Sequence, residues 1–336
     1  MKINKKELQT ALETVKPGLA TQEVIEQSTS FAFMKDKVVT YNEEISISHP
    51  VKDLNLTGAV KAEELYKLLS KITKDEVSFE VGEDKIILKS GRAKAEFILQ
   101  SEIILPLEDV GEIKNWKPLP DDFLKNLKFT VPCVGKDSTR PILNSVHVTE
   151  KGIVEASDGY RITQCKGSEI PVGEFLLGAS AVVNVIQFQP IDIAEGEGWV
   201  HFQNKNGAVL SCRVFEDNYV NTDSFIQQAD KGVEVKFPEE MIEALERARV
   251  FSKRDHYLEE LISVSIGEKI VKLQSESDGG KFEEKIKIDY QGDPIDFSIT
   301  PYIFQDILKE TQTAKIQKDK VSFIGEDWVY LGMLRA

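Results

Sequence analysis

Apolar residues recur along the chain in two periods: the three-to-four spacing of an amphipathic helix and the two-residue alternation of a half-buried strand. The helical spacing covers Lys5–Leu12, Pro120–Leu127 and Pro238–Leu245. In the last two, proline and two acids open the helix, because proline suits a first turn and carboxylates favour the positive helix end. A hairpin pattern follows each helix: Phe31–Met34 with Val38–Thr40, Val146–Val148 with Ile153–Val154, and Val264–Ile266 with Ile270–Val271. Second helices are expected over Ala62–Ile72, Ala179–Phe188 and Tyr302–Glu310. A closing hairpin then begins at Val77-Ser78-Phe79, Val200-His201-Phe202 and Val321-Ser322-Phe323. These four landmarks return in one order with a period of about 115 to 123 residues, a register that chance rarely reproduces. The chain therefore divides into three similar domains, 1–113, 114–231 and 232–336, with polar, turn-rich boundaries near Gly111–Lys117 and Gln228–Gly232. Each has many strands and only two helices, too few for a doubly wound sheet, so an α+β fold with antiparallel sheet is expected.

Composition narrows the function. The 336 residues, 41% of them hydrophobic, suffice for several cores. No apolar run reaches membrane-spanning length, and the N-terminus passes straight into an amphipathic helix without a secretory signal, so a cytoplasmic protein is expected. Cys133, Cys165 and Cys212 are odd in number and widely spaced, which fits buried reduced thiols. The four histidines are scattered, so neither a metal nor another cofactor is expected. Enzyme motifs fail on inspection. Gly178-Ala179-Ser180-Ala181-Val182 lacks the second glycine of a nucleophile elbow, and the segment around Gly135-Lys136-Asp137 lacks the glycine and hydroxyl of a phosphate loop. A binding protein is the expectation. Its net charge of −14 argues against gripping phosphates by bulk electrostatics, but not against encircling a duplex.

The middle domain carries the most specific stretch: Ser138-Thr139-Arg140-Pro141-Ile142-Leu143-Asn144-Ser145-Val146, then Ala156-Ser157-Asp158-Gly159-Tyr160-Arg161-Ile162. It resembles the second domain of the bacterial DNA polymerase III beta sliding clamps, which either a bacterium or a virus of bacteria can encode. Ser157 and Tyr160 replace that family's usual threonine and histidine. The C-terminal Val329-Tyr330-Leu331-Gly332-Met333-Leu334 is similar to the family's last strand, with glycine where proline is usual. The resemblance covers the whole chain in domain order and implies the DNA clamp fold. Two three-domain chains would join head to tail into a homodimeric ring, with helices lining the hole. The ring would tether a replicative polymerase to double-stranded DNA.

The same resemblance assigns candidate sites. A peptide pocket for polymerase and clamp-loader segments would use Leu143, Ser157, Gly159, Tyr160, Arg161, Ile162, Tyr302, Val321, Leu331, Gly332 and Met333. Taken alone, Ser157-Asp158-Gly159 reads as a plain turn and the apolar members as core. Lys136 and Arg140 become DNA contacts, against the plainer alternative of a solvated loop. Cations in or beside the helices, among them Lys5, Lys67, Lys125, Arg247 and Arg249, share their segments with acids and offer only weak attraction to phosphates. Phe97 and Leu99 of the first domain would meet Val250 and Phe251 of the third across the dimer interface. The rival expectation is a clamp-like scaffold that keeps the fold and the dimer without a role on DNA.

Overall fold

A computed structural model describes residues 1–136, 139–255 and 259–335. One element order occurs three times: strand, helix, four strands, helix, three strands. The first occurrence is β1 (Lys2–Asn4), α1 (Lys5–Val15), β2 (Ser30–Lys35), β3 (Lys37–Tyr41), β4 (Ile45–Pro50), β5 (Leu56–Lys61), α2 (Ala62–Lys71), β6 (Glu76–Val81), β7 (Lys85–Ser90) and β8 (Ala93–Ile98). The second is β9 (Lys117–Pro118), α3 (Phe123–Thr130), β10 (Ser145–Val148), β11 (Ile153–Ser157), β12 (Arg161–Lys166), β13 (Phe175–Gly178), α4 (Ala179–Phe188), β14 (Asp192–Gly196), β15 (Trp199–Gln203) and β16 (Val209–Arg213). A short helix, α5 (Asp223–Ile226), precedes the third: β17 (Val233–Lys236), α6 (Met241–Arg249), β18 (Ile262–Gly267), β19 (Ile270–Ser277), β20 (Gly280–Lys287), β21 (Ile295–Ile299), α7 (Pro301–Ile307), β22 (Thr313–Ile316), β23 (Lys320–Ile324) and β24 (Trp328–Met333).

This order corrects one landmark. Val77 lies in β6, the first strand after its helix, whereas Val200 and Val321 lie in β15 and β23, each the second. The counterpart in the first repeat is β7, and the wider first spacing came from that one-strand slip. Helices α3 and α6 also begin three residues past Pro120 and Pro238, because the Phe123 and Met241 amides first close turns onto those proline carbonyls.

By contact the chain forms two compact units. The first comprises Met1–Lys128, Val148–Lys151 and Ser168–Asp217. Its main sheet is antiparallel, in the order β5-β2-β3-β4-β16-β15-β14-β9, so β4 of the first repeat pairs with β16 of the second, Ile47 opposite Leu210. A smaller sheet runs β1-β6-β7-β8. Helix α1 forms because Asn4 caps it, accepting from the Lys6 and Glu7 amides at 2.9 and 3.1 Å. Its buried stripe, Leu8, Ala11, Leu12 and Val15, follows the helical period and faces β3 and β4.

The second unit comprises Phe129–His147, Gly152–Gly167 and the chain from Asn218 onward. Here β10-β11-β12-β24-β23-β22-β17 lie side by side, and a second sheet runs β20-β19-β18-β21. Phe304 of α7 joins the two. Its ring lies 6.0 Å from Phe297 of β21, 5.7 Å from Phe323 of β23 and 5.3 Å from Phe237.

Candidate functional site

The second unit carries a pocket built where β12 meets β24. The strands pair antiparallel, Ile162 opposite Leu331 and Arg161 opposite Gly332. Neighbouring side chains on a strand alternate between faces. Ile162, Leu331 and Met333 therefore share one face, and Arg161, Tyr330 and Gly332 the other. The Met333 amide prolongs the ladder by donating to the Tyr160 carbonyl at 2.8 Å.

The turn between β11 and β12 is fixed by its own residues. Asp158 Oδ1 accepts from the Tyr160 and Arg161 amides, both at 2.9 Å. Ser157 Oγ accepts from the Gly159 amide at 3.1 Å and donates to the Arg161 carbonyl at 2.8 Å. Gly159 has φ +87°, which glycine adopts without side-chain strain. Beneath the turn, the buried Arg161 guanidinium needs partners, since an unpaired buried charge is costly. It donates to Asp158 Oδ2 at 3.1 Å, to Asp306 Oδ2 at 2.7 Å and to the Pro132 carbonyl, and its guanidinium carbon lies 4.6 Å from the centre of the Tyr302 ring. Burial works against its charge, but Tyr330, Cys133 and Asp158 outweigh that and hold its pKa above the ordinary value. Burial also pushes the Cys133 thiol up to about 11, so it stays protonated at neutral pH.

The pocket encloses about 220 Å³ and is lined by Leu143, Ser157, Gly159, Tyr160, Arg161, Ile162, Leu331 and Met333, together with Val220, Asn221, Thr222 and Phe225. Ile162 and Leu331 are buried in its floor, while Tyr160, Val220, Phe225 and Met333 stand exposed around it. An exposed apolar rim over an apolar floor is a surface suited to covering by an apolar group.

Three expected members lie elsewhere. Val321 is paired with Gly332 on the opposite face of the sheet. A Cβ on Gly332 would come 2.7 Å from Ile303 Cγ2, so that face is packed against α7. Tyr302 belongs to α7 and reaches the pocket only indirectly, its hydroxyl donating to Asp158 at 3.3 Å. Val220, Asn221, Thr222 and Phe225 were not among the expected members; they lie in the mostly polar stretch between β16 and the boundary near Gln228–Gly232, where no helical or strand period marks them. The available signal was the presence of bulky residues, Val220 and Phe225 among them, within that polar stretch.

The strands β8 and β20 are sheet edges, one in each unit. Ile98 of β8 is 80% exposed and Phe97 is half-buried. Leu99 is corrected: it is only 4% exposed and packs where a Cβ on Gly58 would meet its Cδ1, so it is core of its own unit. Val250, just past α6, is 64% exposed, and the half-buried Phe251 stacks on Phe282 of β20 at 6.1 Å.

Lys136 and Arg140 are both exposed; Asp137 and Ser138 between them lie outside the described residues. Several helix cations are engaged by carboxylates of their own unit: Lys67 with Glu63, Arg247 with Glu284 at 2.7 Å and Arg249 with Glu260 at 3.1 Å. Among the described residues no cluster of His, Cys, Asp or Glu is arranged to hold a metal ion, and no helix is long and apolar enough to cross a membrane.

No family model matches the chain. The beta sliding clamp of Bacillus subtilis (strain 168) is 29% identical over 256 residues, which span 71% of this chain and 66% of that protein. The solved Bacillus subtilis DNA polymerase sliding clamp superimposes with a TM-score of 0.85, covering 100% of this chain and 98% of that one at 20% identity. The beta chain of DNA polymerase III from Streptococcus pneumoniae gives 0.86, with 100% and 99% covered at 19% identity. A Pseudomonas aeruginosa sliding clamp gives 0.84, with 100% and 99% covered at 15% identity. The chain thus shares the fold of the bacterial DNA polymerase sliding clamps over its entire length, and its sequence is similar to that of the Bacillus subtilis beta sliding clamp over 71% of it.

Proposed function

We propose that this protein is a processivity clamp rather than an enzyme. Two copies close head to tail into a ring around duplex DNA, and the pocket on the second unit takes a short apolar segment of a polymerase or of a clamp loader. The pattern of sheet edges carries the proposal. Within the chain, β4 pairs with β16 and β12 pairs with β24, each joining one repeat to the next. By element order, β20 is the third repeat's equivalent of β4 and β12, and β8 is the first repeat's equivalent of β16 and β24. Both are sheet edges, and unpaired edges are templates for another chain. Pairing β20 of one copy with β8 of the next repeats the internal junction, and two such head-to-tail contacts close a dimer. The three repeats are then three clamp domains, near residues 1–113, 114–231 and 232–336. Lys136 and Arg140 offer phosphate contacts that carry no sequence preference. A ring held by topology needs no cofactor, and it works in the cytoplasm, where the DNA is.

The peptide half of the proposal is tested at Met333. Burying a leucine and an aromatic side chain is worth about 3–6 kcal/mol before ordering costs, which leaves affinity near micromolar. Met333→Asp places a charge on the rim and is expected to abolish binding of a fluorescent peptide carrying those two residues while leaving the dimer intact. Equal affinity for the two proteins places the partner site elsewhere.

A further inference from the structure

We infer that Glu155, which does not line the pocket, is the residue that positions its outer wall. The inference rests on the pocket being the peptide site. Glu155 stands on β11 opposite Gln164 of β12, and two residues along lies the next pair on the same face, Ser157 opposite Ile162, which lines the pocket. The pocket face of this sheet thus runs from an apolar floor into a buried polar patch. The Glu155 carboxylate is held there by three side chains. Oε2 accepts from Gln164 Nε2 at 2.9 Å and from Thr222 Oγ1 at 2.5 Å, and Oε1 lies 2.8 Å from His147 Nδ1. Burial disfavours the ionised form, but the bonds from His147, Thr222 and Gln164 outweigh it and hold the carboxyl below its ordinary range.

This patch seats the segment that supplies the wall. Thr222 is buried through its bond to Glu155, and Tyr219 stacks on the His147 ring at 4.9 Å. The residues between and just beyond these two anchors, Val220, Asn221 and Phe225, face the pocket. Val220 and Phe225 are themselves 43% and 45% exposed, so their own burial holds them less firmly than core packing would. The clasp from Glu155 to Thr222 therefore keeps the wall formed before a ligand arrives, and apparent affinity scales with the fraction of molecules whose wall is formed.

The test uses the full chain and a fluorescent peptide carrying a leucine and an aromatic residue. Thr222→Val keeps the shape and removes the donor. If the wall is then formed a tenth of the time, the dissociation constant rises about tenfold. Amide exchange in the free protein should quicken over residues 219–226 and not elsewhere. Thr222→Ser restores the donor and should restore affinity. Glu155→Gln should weaken binding alone and add little in the Thr222→Val background, since the two act as one unit. Wild-type affinity and exchange in Thr222→Val overturn the clasp, provided that Met333→Asp still abolishes binding. Failure of the wild type to bind, or binding by Met333→Asp equal to wild type, overturns the peptide-site proposal and the clasp with it.

Discussion

Gly332 shows how one position without a side chain shapes the site. Its face of β24 is pressed against α7, and a Cβ would meet Ile303 at 2.7 Å. Gly332→Ala overpacks this region and should cost about 1–3 kcal/mol, seen as a lowered melting temperature. Peptide affinity should barely change, because Leu331 and Met333 point the other way. An unchanged melting temperature contradicts the close packing of α7 on that face. Alternation along Leu331-Gly332-Met333 was legible from the sequence, as was the Asp158-Gly159 turn. The partners of Arg161 were not. Pro132, Asp306 and Tyr330 approach it from distant parts of the chain, and no local pattern records such contacts.

At the level of elements, the repeated order was readable because each helix and hairpin signals itself through its period. Strand pairing between repeats left no comparable trace, so the junctions β4–β16 and β12–β24 emerge only from the fold. The slip at Val77 has the same origin: successive short strands share one alternation and differ little in residue type. Interface prediction from the ends of elements also mistook Leu99, which follows β8, for surface. The exposed side chain there is Ile98. Ile98→Asp puts a charge on the β8 edge, which discourages strand addition, and it removes no core packing. Light scattering at low micromolar concentration should find this variant monomeric with its unfolding transition unchanged. A dimer of wild-type mass contradicts pairing of β8 with β20.

For the whole molecule, a net charge of −14 and helix cations already paired with carboxylates leave little attraction for phosphates. Retention by enclosure tolerates this, whereas a protein that grips DNA does not. Replacing Lys136 and Arg140 by alanine should weaken DNA binding equally across sequences. It should also flatten the salt dependence by about 0.9 in slope for each phosphate no longer neutralised. An unchanged slope returns that loop to solvent. Enclosure itself is tested most directly by loading the protein on a nicked circular plasmid, separating bound from free protein by gel filtration, and then cutting the circle once. A threaded ring stays on the circle through the column and is lost when the DNA is linearised. Equal retention on circular and linear DNA, or none on either, contradicts encirclement and leaves a clamp-like scaffold.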